Sequence, residues 1–258
     1  MSKIDMWNAK LKFFALIITC QFLFVTQSLA SEIRIAVASN FHSTMKEIIV
    51  QFELENTKAN KIVLIPGSSG KHYAQIINGA PFDLFFSADK LRPILLEDQG
   101  IIRNQSRFTY ALGKLVLWSL DNSFIDSEGQ ILYDNNFRFL AIANPKIAPY
   151  GIAAKEILVS MELWQDMNKK LVKGENIAQT YQFVSSRNAE MGFVSFSQIL
   201  NHNHNLKGSF WEVPQSLYSP IEQQAVLLRD SKLGRDFMKF MKTKKALDII
   251  SKYGYDLP

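Results

Sequence analysis

Ile77-Asn78-Gly79-Ala80-Pro81-Phe82-Asp83-Leu84-Phe85-Phe86-Ser87-Ala88-Asp89 decides the fold. Gly79 stops a helical pattern carried by Tyr73, Ile76 and Ile77, Leu84 to Ser87 is a short apolar run of strand type, and Leu91, Ile94 and Leu95 open a new helix that Gly100 stops. Helix, strand and helix joined by short turns make the unit of a parallel α/β sheet. The alternation extends outward in both directions. Upstream, Ile33 to Ala38 reads as a strand, Met45, Ile48, Ile49 and Phe52 place an amphipathic helix over Phe41 to Glu55, and Lys61 to Ile65 forms a second strand. Downstream, from Lys114, strands are expected at Leu115 to Ser119, Phe139 to Ala143 and Gly192 to Phe196, with helices from Gly151 and from Ile177, the latter capped by Asn176. A strand at Ala225 to Leu228 and helical positions Leu233, Phe237, Phe240 and Met241 close the chain. No internal repeat, low-complexity tract or Gly/Ser linker interrupts it, so two lobes sharing the chain through crossover segments fit better than two separate beads.

The first thirty residues stand apart. Lys3, Lys10 and Lys12 precede the mostly apolar run Phe13 to Val25, and Ser28-Leu29-Ala30 offers small residues for cleavage, so residues 1–30 read as an export signal and Ser31 as the mature start. A lipid anchor on Cys20 is the less favoured reading, because Thr19 stands where a lipobox has a small residue. Cys20 is also the chain's one cysteine, so the mature protein would have no disulfide, thiolate metal site or cysteine nucleophile. Removing Lys3, Lys10, Lys12 and Asp5 with the leader leaves 26 basic and 23 acidic residues, a net +3. The basic residues are scattered apart from a few around Lys239 to Lys245, which argues against nucleic acid as a partner.

Three strand ends run into helix starts through small residues: Ala38-Ser39-Asn40, Gly67-Ser68-Ser69-Gly70 and Pro149-Tyr150-Gly151. At the carboxyl edge of an open parallel sheet such junctions gather together, and each presents unpaired backbone N–H groups at the positive end of a helix. That chemistry binds an anion without a charged side chain. The plainer reading makes Ser39 and Ser69 ordinary helix N-caps.

The ordered set of motifs closely resembles the periplasmic molybdate-binding proteins of ABC importers. It is carried by Ala36-Val37-Ala38-Ser39-Asn40, by Gly67-Ser68-Ser69, above all by the opening stretch, then by Ala143-Asn144-Pro145 with Pro149 to Glu156, by Gly192-Phe193-Val194 and by Ile249 to Gly254. The resemblance implies a type II periplasmic binding protein fold of α/β class. Two lobes, residues 31–111 with 217–258 and residues 112–216, would be joined by two crossover segments with the ligand in the cleft. It implies a monomeric, non-enzymatic solute-binding protein without cofactor that captures molybdate or tungstate and hands it to a permease and its ATPase. Ser39 and Ser69 would donate hydroxyls, and Tyr150 and Ile177 backbone N–H groups.

The chain departs from the family where a tyrosine hydroxyl reaches the anion: Ser195 stands there, in Gly192-Phe193-Val194-Ser195-Phe196. Either the pocket is roomier, or a water or another donor fills the gap, and a tyrosine at 195 is expected to sharpen the preference for molybdate. Lys71 and His42 fall in the first turns of helices that should face the ligand, where a cation is unfavourable without an anion nearby. They point to solvent or, facing the cleft, would suit a larger or more highly charged anion. Transport of a different anion and presentation of ligand to a membrane sensor kinase are the alternative functions.

Other chemistries find no anchor. Gly67 to His72 has the wrong spacing for a phosphate-binding loop, and no Gly-x-Ser-x-Gly elbow occurs. His202 and His204 match no metalloprotease spacing and read as a polar surface loop, while Asp83 and Asp89 read as turn and helix-cap residues rather than an acid–base pair.

Overall fold

A computed structural model describes residues 31–56, 60–103, 105–200 and 206–258. The expected leader with Cys20 and the His202/His204 loop lie outside these residues. The strands are β1 (Ser31–Ala38), β2 (Asn60–Gly67), β3 (Leu84–Ser87), β4 (Phe108–Gly113), β5 (Leu115–Ser119), β6 (Leu140–Ala143), β7 (Leu171–Gly174), β8 (Met191–Ser195), β9 (Ser209–Glu212) and β10 (Ile221–Leu227). The helices of eight or more residues are α1 (His42–Glu55), α2 (Ser69–Ile77), α3 (Leu91–Asp98), α4 (Pro149–Ser160), α5 (Ile177–Ser185), α6 (Lys232–Phe240) and α7 (Lys244–Lys252).

Two five-stranded sheets result, ordered β2-β1-β3-β10-β4 and β7-β6-β8-β5-β9. In the first, β1 and β3 are parallel and β10 runs antiparallel to β3 and β4; in the second, β6 is parallel to β7 and β8 while β5 is antiparallel to β8 and β9. The chain passes between sheets twice, at Gly113–Lys114 and between Glu212 and Ile221. Leu112 and Gly113, expected in the second lobe, pair with Glu222 and Ile221 in the first sheet, because β4 keeps its ladder until the chain turns at Lys114.

Each sheet is covered on both faces, as the alternation of strand residues requires. On β1, Ile33, Ile35 and Val37 face a core with Met45, Ile48 and Phe52 of α1 and Phe237 of α6. Ala36, between them, faces the opposite core with Ile76, Phe85 and Leu96. In the second sheet Leu117, Ile142 and Phe193 pack under α4, while Val116, Trp118 and Ala141 pack under α5 through Val184. With both faces buried, each sheet fixes the positions of its strand ends, and those ends carry the candidate site residues.

Candidate functional site

The chain leaves β1 at Ala38, β2 at Gly67, β6 at Ala143 and β7 at Gly174, and each exit leads within a few residues into a helical turn. These turns, two from each lobe, enclose a cavity of about 10 Å³. Ser39, Ser69, Tyr150 and Ile177 all line it, alongside Asn40 and Asn176. None of the lining residues is charged. Positive potential comes instead from helix starts, whose first-turn N–H groups lack helical acceptors and carry about half a unit charge per helix.

Local sequence explains how each donor is set. Pro149 occupies the first position of α4, where its missing N–H costs nothing, and Tyr150 follows with its N–H in the unpaired first turn. Gly151 allows α4 to start against β6: a Cβ there would lie 2.2 Å from the carbonyl oxygen of Ala143. Asn176 caps α5, its Oδ1 accepting from the N–H groups of Ala178 and Gln179 at 3.0 and 3.1 Å, which leaves the N–H of Ile177 for the cavity.

The two serines are not the N-caps of the plainer reading. Ser68 caps α2 by accepting from the N–H of Lys71, so Ser69 is free for other work. Its buried Oγ accepts the N–H of Ala88 at 2.9 Å, which orients the hydroxyl and leaves its proton to donate. Ser39 lies in a single 3-10 turn ahead of α1 and reaches across the cleft. Its Oγ donates to Asn176 Oδ1 at 3.2 Å and accepts from Ala178 N–H at 3.3 Å. A second bond between the lobes runs from the N–H of Gly70 to the carbonyl of Ile147 at 2.8 Å. The cleft is therefore closed.

The remaining expected site residues fall elsewhere. Ser195 does not line the cavity; it is fully buried behind Tyr150, with its Oγ donating to the Tyr150 hydroxyl at 3.2 Å and 2.7 Å from Ser197 Oγ. Lys71 neither lines the cavity nor stands free in solvent: its ammonium pairs with Glu175 of the opposite lobe at 2.7 Å, across the mouth. His42 also lies off the cavity wall, half-buried, with its pKa lowered by burial and then by Lys46. Asp89 accepts the N–H of Arg92 at 3.1 Å and pairs with its guanidinium, as a cap residue does, whereas Asp83 is not a local turn group: its carboxylate accepts the N–H of Arg34 on β1 at 2.7 Å and ties β1 to the start of β3.

Asn40 and Asn176 are cavity residues that sequence reasoning left unassigned as ligand contacts. Asn176 reads as a cap in the sequence, and that cap position is the signal that places it beside the cavity-facing start of α5.

Residues 33–256 match the family model described as bacterial extracellular solute-binding protein. The chain is 45% identical over 231 residues to the molybdate-binding protein ModA of Azotobacter vinelandii, spanning 88% of this chain and 91% of that one. It is 43% identical over 229 residues to the molybdate-binding protein ModA of Rhodobacter capsulatus, spanning 88% of each. The solved structure of the Azotobacter vinelandii periplasmic molybdate-binding protein is similar with a TM-score of 0.85 at 39% identity, covering 88% of this chain and 99% of that one.

Proposed function

The chain belongs to the bacterial extracellular solute-binding proteins, and from that premise we propose that it captures molybdate, and tungstate with it, in the periplasm for delivery to an ABC permease and its ATPase. The observation that carries this reading is the cavity itself: helix starts from both lobes converge on one small uncharged space walled by Ser39, Ser69, Tyr150 and Ile177. A tetrahedral dianion offers only acceptors, and this wall offers chiefly donors. Protonated oxyanions would need an acceptor for their O–H, so phosphate is disfavoured, and size separates molybdate from sulfate.

The magnitudes are adequate. A hydrogen bond to a charged group contributes roughly 1.5 to 3 kcal/mol net, and micromolar affinity requires about 8 kcal/mol, so four or five such bonds suffice once closure costs are met. Because the donors come from both lobes, the anion stabilises the closed form, and closure is what the permease would read. The lobes are proposed to turn about the two crossovers as a monomer, without catalysis.

Calorimetric titration with molybdate, tungstate, sulfate, phosphate and chromate at neutral pH tests the assignment. Tight binding restricted to molybdate and tungstate is expected. A folded protein silent toward both would overturn it.

A further inference from the structure

Behind the cavity, five side chains form a continuous polar path between the lobes. The Tyr255 hydroxyl donates to the carbonyl of Asn40 at 2.9 Å, accepts from Asn40 Nδ2 at 3.1 Å and lies 2.8 Å from Ser197 Oγ. Ser197 Oγ is 2.7 Å from Ser195 Oγ, which donates to the Tyr150 hydroxyl at 3.2 Å. Both ends of this path, Asn40 of the first lobe and Tyr150 of the second, are cavity walls. All five residues are buried. Burial also raises the Tyr255 hydroxyl to about 12, so it remains a neutral donor at any physiological pH.

Tyr255 belongs to the tail that follows α7, and the tail is docked on the first crossover. Leu112 and Asp256 exchange backbone hydrogen bonds at 2.8 and 3.1 Å, and the Asp256 carboxylate pairs with Lys114 at 2.9 Å. Gly254 turns the chain at φ +81, and a Cβ there would meet the Phe196 ring of the second lobe at 2.6 Å. The Tyr255 ring packs edge-on to Phe41, with centroids 5.2 Å apart. The tail therefore touches both lobes at the place where the chain crosses between them.

We infer that Tyr255 is a positioning residue for anion capture: its hydroxyl pins the Asn40 turn to Ser197 at the pivot and so sets the angle at which the donors of the two lobes come into register. The inference rests on the proposed oxyanion capture for its affinity readout but not for its geometric one. Removing the hydroxyl leaves the ring and its packing in place while Asn40 and Ser197 each lose a partner, which loosens the closed angle rather than the fold.

The test pairs Tyr255→Phe with Ser197→Ala and the double variant. Each single change should weaken molybdate binding about tenfold, through faster release at unchanged association, as expected when a buried hydroxyl is removed from a hydrogen-bonded network. The double variant should lose less than the sum of the two single changes, because both hydroxyls belong to one network that also includes a bond from Ser197 Oγ to the Asn40 carbonyl at 3.4 Å. A second readout needs no ligand: spin labels on the exposed positions Val50→Cys and Val159→Cys, one on each lobe, in a Cys20→Ser background. Electron–electron distance measurement should show a broader inter-lobe distribution in Tyr255→Phe than in the parent. Parental affinity and parental distances in both single variants would overturn the inference. If the parent binds neither molybdate nor tungstate, the proposed ligand fails, and the distance distributions alone decide the role of Tyr255.

Discussion

The hydroxyls of Ser195 and Tyr150 meet at 3.2 Å in a fully buried space behind the cavity, so the site is completed by a tyrosine from α4 whose backbone faces the cavity while its side chain fills the region next to residue 195. The crowding is severe enough that a Cβ on Gly113 would lie 2.3 Å from the Tyr150 hydroxyl. Ser195 is small because that volume is taken.

This relationship changes the expected result of Ser195→Tyr. A second aromatic ring has no room beside Tyr150, and overpacking a closed interior typically costs about 1 to 3 kcal/mol or more. Thermal unfolding should show a lower midpoint, and molybdate affinity should fall instead of becoming more selective. A stable variant with sharpened preference for molybdate would mean that Tyr150 vacates this space readily.

Ser39→Ala and Ser69→Ala should differ, because their hydroxyls are held differently. Ser69 Oγ satisfies the buried N–H of Ala88, so its loss costs roughly 1 to 3 kcal/mol of stability in addition to weaker anion binding. Ser39 Oγ bonds only across the cleft, so its loss should weaken binding by about 1 kcal/mol or more and leave the unliganded melting temperature nearly unchanged. Titration and thermal melts of the two variants, side by side, make the comparison.

Gly70→Ala isolates the closed state. A Cβ at Gly70 would lie 2.7 Å from the carbonyl oxygen and 2.9 Å from the Cα of Ile147, both backbone atoms of the opposite lobe that cannot move aside cheaply. An open arrangement that parts Gly70 from Ile147 would be free of this contact. Affinity should fall between about tenfold and a hundredfold, with little change in unliganded stability, on the usual cost of overpacking. Small-angle scattering should then show the variant failing to contract on adding molybdate.

Much of this was legible in the sequence, and the omissions share a cause. β3 and β5 were read with their observed bounds, since continuous apolar runs bounded by turn residues mark fully buried strands. β4, β7 and β9 were not read as strands, and all three are sheet edges. β7, Leu171–Gly174, is only partly covered along most of its length, so its apolar signal is weak. That Ser39, Ser69, Tyr150 and Ile177 line one cavity was legible because helix starts after strands announce themselves locally. The placement of Ser195 and the partner of Lys71 were not, because each depends on a residue far along the chain, Tyr150 in one case and Glu175 in the other.

The Lys71–Glu175 pair should act on release rather than on recognition. It spans the mouth at 2.7 Å with side chains 51% and 46% exposed, and an exposed pair of this kind contributes at most about 1 kcal/mol. Glu175→Gln should therefore speed ligand dissociation by no more than about fivefold at low salt, and the difference from the parent should vanish near 1 M salt, where screening is complete over a few ångströms. An effect that persists at high salt would assign Glu175 a structural role instead.

His72 makes stability depend on pH in a definite direction. Its ring is buried edge-on to Phe82, with centroids 5.7 Å apart, and burial lowers its pKa from 6.5, with the nearby Lys71 ammonium adding to the effect. The folded state thus holds the ring neutral while the unfolded chain takes up a proton as pH falls through 6.5. Protons then favour unfolding, so stability declines from near pH 6.5 downward until the folded pKa is passed, with a slope of at most about 1.4 kcal/mol per pH unit for one such group. His42 is shifted in the same direction, chiefly by its burial and then by Lys46. Melting temperatures of the parent and of His72→Gln between pH 8 and pH 5 check this: the variant should start lower, because a fitted ring is lost, and then fall less steeply below pH 6.5. Parallel curves would show that the imidazole is protonated within the fold.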